Sequence, residues 1–218
     1  MADASLRRCV GEGEGEGDAG LVERQLSSEP LFKGHFLHAF RDTVQLPDGS
    51  IATREYVVHP GAVMVVPLLD DGRIVVERQY RYPMHRAMVE MPAGKLDAGE
   101  RTFDCARREL LEETGYSARE WAHAGVLHPV ISYSTEFIEI WFARGLTAGE
   151  RQLDVGEFLE VFAMSPAELL EGCRSGQVTD GKTLAAMLWL QNVASGAWPL
   201  EWKTAEAHDA AKVPIMSP

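Results

Sequence analysis

The chain has 218 residues, enough for one large domain or a domain with a small appendage, and 45% hydrophobic with 25% charged residues supports a sizeable core. A net charge of −12 argues against nonspecific nucleic-acid binding, which relies on cations neutralising phosphates, but leaves a small phosphate substrate open. No apolar run approaches the roughly 18–20 residues of a membrane span, the N-terminus carries no hydrophobic signal region, and Cys9, Cys105 and Cys173 are too scattered for a disulfide frame or zinc site; the expectation is a cytoplasmic protein with reduced thiols and no membrane partner.

Residues 11–17, GEGEGEG, alternate glycine with like charge, so a disordered leader is expected over residues 1–20. From residue 21 the pattern becomes β. Phe36–Phe40 and Thr43–Leu46 precede the turn Pro47-Asp48-Gly49-Ser50, and Thr53–His59 follows as a strand. This is a hairpin or meander of some 35 residues, too small to hold a core of its own. Ala62–Leu69 and Arg73–Arg81, around the turn Asp70-Asp71-Gly72, are continuously apolar over much of their length, as strands covered on both faces are. Met88–Pro92 is a short strand leading into a glycine-marked loop, Gly94 to Gly99.

That loop feeds a helix ending at Gly115. At 3.6 residues per turn, Phe103, Ala106, Leu110 and Thr114 share a stripe that can pack on a core. Beside it run Glu109, Glu112 and Glu113, whose like charges cost about 0.2–0.5 kcal/mol per pair. Such a row fits a hard cation that takes carboxylate oxygens plus substrate phosphates. A solvated acidic face with an ordinary glycine stop is the plainer alternative. Arg108 can pair with Glu112 one turn on, and Glu100 lies at the helix entrance, where a carboxylate favours the positive end of the dipole. Cys105 is expected off the apolar stripe and without a catalytic use.

Beyond the helix, Trp121–His128 and Phe137–Arg144 are expected strands around the polar loop 129–136, and Phe158–Met164 is a third. Ser165 caps a helix with Pro166 at its first position. A last helix spans Thr183–Val193 with Leu184, Met187, Leu188 and Gln191 on its inner face; residues beyond about 203 show no pattern and are expected to fray.

The spacing Gly94, Glu100, Arg108-Glu109-Leu110, Glu112-Glu113, Gly115-Tyr116 matches every fixed position of the Nudix signature G-x5-E-x7-R-E-U-x-E-E-x-G-U. The chain therefore resembles a Nudix hydrolase. RQYRYP at 78–83, EMPAGKLDAGE at 90–100, HPVISYSTE at 128–136 and SGQVTDGKT at 175–183 are similar to the ADP-ribose pyrophosphatase branch, and Pro129 falls near the proline that marks it. The resemblance covers roughly residues 22–195. It implies an α/β fold, a Nudix-type α/β/α sandwich on a mixed sheet, preceded by an N-terminal antiparallel β extension. The implied organisation is a leader (1–20), a β extension for dimerisation and substrate contacts (21–60), a Nudix hydrolase domain (61–200) and a C-terminal tail (201–218).

The resemblance further implies Mg²⁺, with Mn²⁺ as a substitute, held by the Ala93 carbonyl, Glu109 and Glu113, with Glu100 and Glu112 as supporting or additional ligands. Arg81 matches an arginine on the pyrophosphate, and Arg54 one near the adenine or terminal ribose of a partner subunit. Glu136 matches a catalytic base on a mobile loop, with Glu112 also in the catalytic set. The implied activity is hydrolysis of ADP-ribose, a nucleoside diphosphate sugar, to AMP and ribose 5-phosphate by a homodimer that exchanges its N-terminal strands. GDP-mannose or another nucleotide sugar is the alternative substrate. A non-catalytic Nudix-fold binding or regulatory module is the alternative of a different class; the intact REUxEE core argues against it.

Overall fold

A computed structural model describes residues 20–210. The Gly/Glu leader, Cys9 and the end of the C-terminal tail lie outside the described residues. The described chain forms two compact units, one of residues 20–61 with Val130–Phe137, the other of Ala62–Pro129 with residues 138–210.

The first unit is an antiparallel meander of β1 (Arg24–Lys33), β2 (His38–Gln45) and β3 (Ile51–Val58). The β2–β3 register runs from His38 opposite Val58 to Gln45 opposite Ile51, closed by the expected turn, in which Gly49 adopts φ +85°. All ten residues of β1 are exposed, Leu26, Leu31 and Phe32 among them. The buried Asp42 accepts hydrogen bonds from Gln25 Nε2 (2.7 Å) and the Tyr56 hydroxyl (3.2 Å). Residues 130–137 are stitched to the end of β3: Val57 N–H donates to Tyr133 O, Thr135 N–H to Val57 O, and His59 N–H to Thr135 Oγ1, all within 3.0 Å. The loop expected to be mobile is thus held along β3 by backbone bonding.

The second unit is built on a mixed sheet of eight strands: β4 (Ala62–Leu68), β5 (Ile74–Arg81), β6 (Arg86–Glu90), β7 (Ala93–Lys95), β8 (Tyr116–Leu127), β9 (Ile138–Ala148), β10 (Leu159–Met164) and β11 (Lys203–Thr204). The main path runs β10-β5-β4-β9-β8-β11, with β6 on β5 and β7 on β4; β4 and β9 are parallel, every other pair antiparallel. Four helices complete it: α1 (Thr102–Thr114), α2 (Pro166–Ser175), α3 (Gly181–Ala194) and α4 (Ala205–Ala210).

Strand alternation sorts the core into two layers. Met64, Val66, Ile74, Val76, Ile140 and Phe142 share a buried cluster with Leu169 of α2 and Ala186, Met187 and Leu190 of α3. On the other face Trp121 and Trp141 meet Phe103 of α1, with ring centroids 5.6 and 5.3 Å apart. The sheet is covered on both sides, which is why β4 is buried from Ala62 through Pro67.

Three sequence expectations change. The inner face of α3 is Thr183, Ala186, Met187 and Leu190, while Leu184 and Leu188 are exposed; a helix apolar almost all round carries no periodic signal to choose a face. Cys105 is fully buried, its thiol directed at the Lys95 carbonyl (3.4 Å), because the loop before α1 folds back over that side of the helix. Residues 203–210 are ordered rather than frayed: β11 pairs with Glu120 and Trp121, and His208 packs 4.5 Å from the Phe103 ring. Among the described residues no helix is long and apolar enough to cross a membrane.

Candidate active site

The signature loop and α1 assemble around close backbone approach. β7 pairs Gly94 with Val63 of β4, which brings the loop backbone against α1. A Cβ on Gly94 would lie 1.8 Å from the Glu109 carboxylate, so only glycine leaves that carboxylate its place. The following turn closes through Glu100 N–H to Asp97 O (3.0 Å), with Gly99 at φ +76°. Gly115 ends α1 in the left-handed conformation, its N–H donating to Leu111 O.

Along α1, Phe103, Ala106, Leu110 and Thr114 are buried as the stripe predicts, and Glu109 and Glu113 are buried beside them, 9% and 3% exposed. Arg108 gathers the row. It donates to Glu100 through Nε and Nη2 (both 2.8 Å), to Glu109 Oε1 (2.7 Å) and to Glu112 Oε2 (3.1 Å). Burial would raise the Glu100 carboxyl, but Arg108 holds it below the usual carboxylate range. Glu109 is pushed up to about 7, chiefly by burial, with Arg108 opposing. Glu113 rises further, through burial and then the charges of Glu77, Glu109 and Glu157, although its Oε2 accepts the Ala93 N–H at 3.0 Å.

Glu77, Glu90 and Glu157 were missed by sequence reasoning. Glu77 on β5 and Glu90 on β6 are directly paired across the ladder. Glu77 is fully buried, and neither of its oxygens has a hydrogen-bond partner; burial first and Glu90 second raise its pKa. Glu157, just before β10, accepts from Gln79 Nε2 (3.3 Å). The one available signal was Glu77 itself, a carboxylate closing an apolar run expected to be covered on both faces.

Arg81 at the end of β5 grips Glu90 with a two-pronged fork, Nε to Oε1 and Nη2 to Oε2, both 2.7 Å. In the other unit, Arg54 pairs with Glu23, and Glu136 Oε1 lies 3.7 Å from His59 Nε2. Gly61 N–H donates to His59 Nδ1 (3.1 Å), which leaves Nε2 as the ring's donor. The structure thus brings Ala93, Glu100, Glu109, Glu112 and Glu113 together, and places Arg54 and Glu136 in the unit of the N-terminal strands.

Among the described residues, no three acidic, histidine or cysteine side chains converge closely enough to form a ready-made metal cage. Arg108 and the Ala93 amide occupy oxygens that a cation would otherwise take. The donor set still fits a hard divalent cation. It offers only oxygen ligands, it buries carboxylates whose mutual repulsion Arg108 offsets only in part, and Glu77 contributes two orphaned oxygens to the same neighbourhood.

Residues 58–186 match the NUDIX domain model, and residues 23–57 match the nucleoside diphosphate sugar hydrolase N-terminal domain. The chain is 37% identical to an ADP-ribose pyrophosphatase of Bacillus subtilis (strain 168), over 78% of this chain and 94% of that protein. It is 35% identical to an ADP-ribose pyrophosphatase of Mycobacterium tuberculosis, over 78% and 84%, and 36% identical to a methanol dehydrogenase activator of Bacillus methanolicus, over 78% and 92%. A crystal structure of an ADP compounds hydrolase superposes with TM-score 0.74 over 81% of this chain and 97% of that one; at 21% identity it establishes the fold.

Proposed function

The chain belongs to the Nudix hydrolase family, and from that premise we propose that it hydrolyses the pyrophosphate of ADP-ribose to AMP and ribose 5-phosphate with Mg²⁺. The observation that carries this reading is the buried pair Glu109 and Glu113, one helical turn apart, with the orphaned Glu77 beside them. The two relatives named ADP-ribose pyrophosphatase support the choice of substrate.

The Ala93 carbonyl, Glu109 and Glu113 would hold the cation, with Glu100 and Glu112 as further oxygen donors kept in place by Arg108. A divalent cation held there would supply charge neutralisation for the diphosphate and a lowered pKa for a bound water. Arg81 presents a planar guanidinium suited to phosphate oxygens, and Arg54 of a second copy would serve the adenine or terminal ribose end of the substrate. A carboxylate accepts the proton of the attacking water as the P–O bond to the leaving phosphate breaks; such a group contributes roughly 10²–10⁴-fold. Glu136 is one candidate for that carboxylate. Glu157 is the second, since its bond from Gln79 of β5 places it two residues along that strand from the level of the buried Glu77. Comparing Glu136→Gln with Glu157→Gln separates them, since the base variant loses kcat with KM nearly unchanged.

The exposed apolar side chains of the N-terminal sheet, Leu26, Leu31, Phe32 and Ile51, support a homodimer in which a second copy covers them. Light scattering on the full chain should give twice the monomer mass, and a monomer would refute the dimer.

The deciding experiment for the activity is a panel of ADP-ribose, GDP-mannose, ADP-glucose, NADH and diadenosine polyphosphates with Mg²⁺, with products identified. ADP-ribose should be turned over fastest. Equal rates across the panel would remove the reason to name it.

A further inference from the structure

The segment SGQVTDGKT, residues 175–183, lies outside the signature, yet it ends against the site. Asp180 caps α3: its Oδ2 accepts Thr183 N–H (3.0 Å), the Thr183 hydroxyl (2.7 Å) and Lys182 Nζ (3.1 Å). Thr183 Oγ1 in turn accepts Met91 N–H (2.9 Å), docking the helix start beside the end of β6. Lys182 then reaches across to Glu90 Oε2 in a short charge-assisted contact. Its side chain is 11% exposed and that of Glu90 2%, so the pair is shielded from water.

Glu90 therefore receives three donors: Arg81 Nε on Oε1, and Arg81 Nη2 and Lys182 Nζ together on Oε2. A two-pronged fork fixes the plane of a guanidinium, not only its position. Because the fork uses Nε and Nη2, the Nη1 edge of Arg81 remains for an incoming anion. The Arg81 side chain is 40% exposed, so that edge can meet a ligand.

We propose that Lys182 is a positioning residue for the reaction: from the first turn of α3 it clamps Glu90, and Glu90 holds the Arg81 guanidinium aimed at the substrate's pyrophosphate. The inference rests on the reading of Arg81 as the pyrophosphate arginine. Lys182 is not needed to dock α3, because Asp180 and Thr183 already do so through bonds independent of it. Its distinct contribution is to Glu90, where a carboxylate held by Arg81 alone could swing with the guanidinium. Two donors arriving from different elements, β5 and α3, remove that freedom.

The test is a double-mutant cycle read by steady-state kinetics with ADP-ribose and Mg²⁺. Lys182→Gln should raise KM about 10-fold with kcat within about 2-fold, the pattern of lost uniform binding. Added to Arg81→Gln, the same change should alter KM by less than about 2-fold, because no guanidinium remains to be aimed. Lys182→Arg should restore KM to within about 3-fold of wild type, since it keeps a charged donor on Glu90. An unchanged KM in Lys182→Gln, or an equal rise in both backgrounds, overturns the proposal. Should circular dichroism show Lys182→Gln unfolded, Glu90→Gln takes its place in the cycle, with the same expectation and the same refutation. Wild-type turnover is measured first. If ADP-ribose is not hydrolysed, the substrate reading fails alone, and the cycle is run with whichever panel compound is.

Discussion

Gly94→Ala separates the site from the fold. The added methyl would sit 1.8 Å from Glu109 Cδ and Oε1 and 2.3 Å from Oε2, where ordinary contact begins near 3.4 Å. The carboxylate must retreat by roughly 1.6 Å to restore van der Waals separation. Gly94 is not held at positive φ, and the atoms that must yield are the end of a flexible side chain, so the backbone is spared. The melting temperature should move by less than about 4 °C, the equivalent of about 1 kcal/mol for a chain of this size. Activity should suffer far more, because misplacing a catalytic group by about 1 Å costs on the order of 10²-fold. The assay is kcat for ADP-ribose at saturating Mg²⁺, with the melt recorded on the same preparation. Activity within about 3-fold of wild type would refute the placement of Glu109 in the metal site; a collapse of the melt would refute the claim that only the side chain yields.

Three further outcomes follow from the same geometry. Glu113→Gln should lower kcat by about 10³-fold while raising the metal-free melting temperature, because an amide avoids the cost of burying a carboxyl whose pKa burial drives up; unchanged turnover would contradict the metal assignment. The metal-free protein should lose stability as pH rises. Glu109 has a folded pKa of about 7, above its unfolded value of 4.5, so the native state holds more protons between those values, and on the order of 3 kcal/mol is lost across that window. Added Mg²⁺ should therefore raise the melting temperature more at pH 8 than at pH 5.5, which thermal melts at the two pH values check. Ser165→Ala, which breaks the reciprocal capping box with Glu168 at the start of α2, should cost about 1 kcal/mol of stability by denaturant melt and leave kcat unchanged.

Where the sequence was legible, it was legible for local reasons. α1 and its buried stripe follow from helical period, and its end from Gly115. The start of α2 follows from Ser165, Pro166 and Glu168, whose capping geometry is complete in the structure. The signature carboxylates Glu109, Glu112 and Glu113 sit on one helix at fixed offsets, so knowing the helix places them relative to one another; Glu100 lies in the loop before it. α3 resisted the same reasoning because Met187-Leu188-Trp189-Leu190 is apolar on all sides, and only the packed sheet selects Ala186, Met187 and Leu190 as the inner face.

The order of residues along the chain determined a Nudix hydrolase with an acidic helix, because period, caps and signature spacing all act within about a dozen neighbours. The tertiary structure alone decided that Glu77 faces Glu90, that Glu157 meets Gln79 of β5, and that Lys182 closes on Glu90 from 92 residues away. Strand pairing and helix docking join segments whose separation in sequence carries no period to read, and burial turns those meetings into the shifted carboxylates and fixed guanidinium on which the proposed chemistry depends.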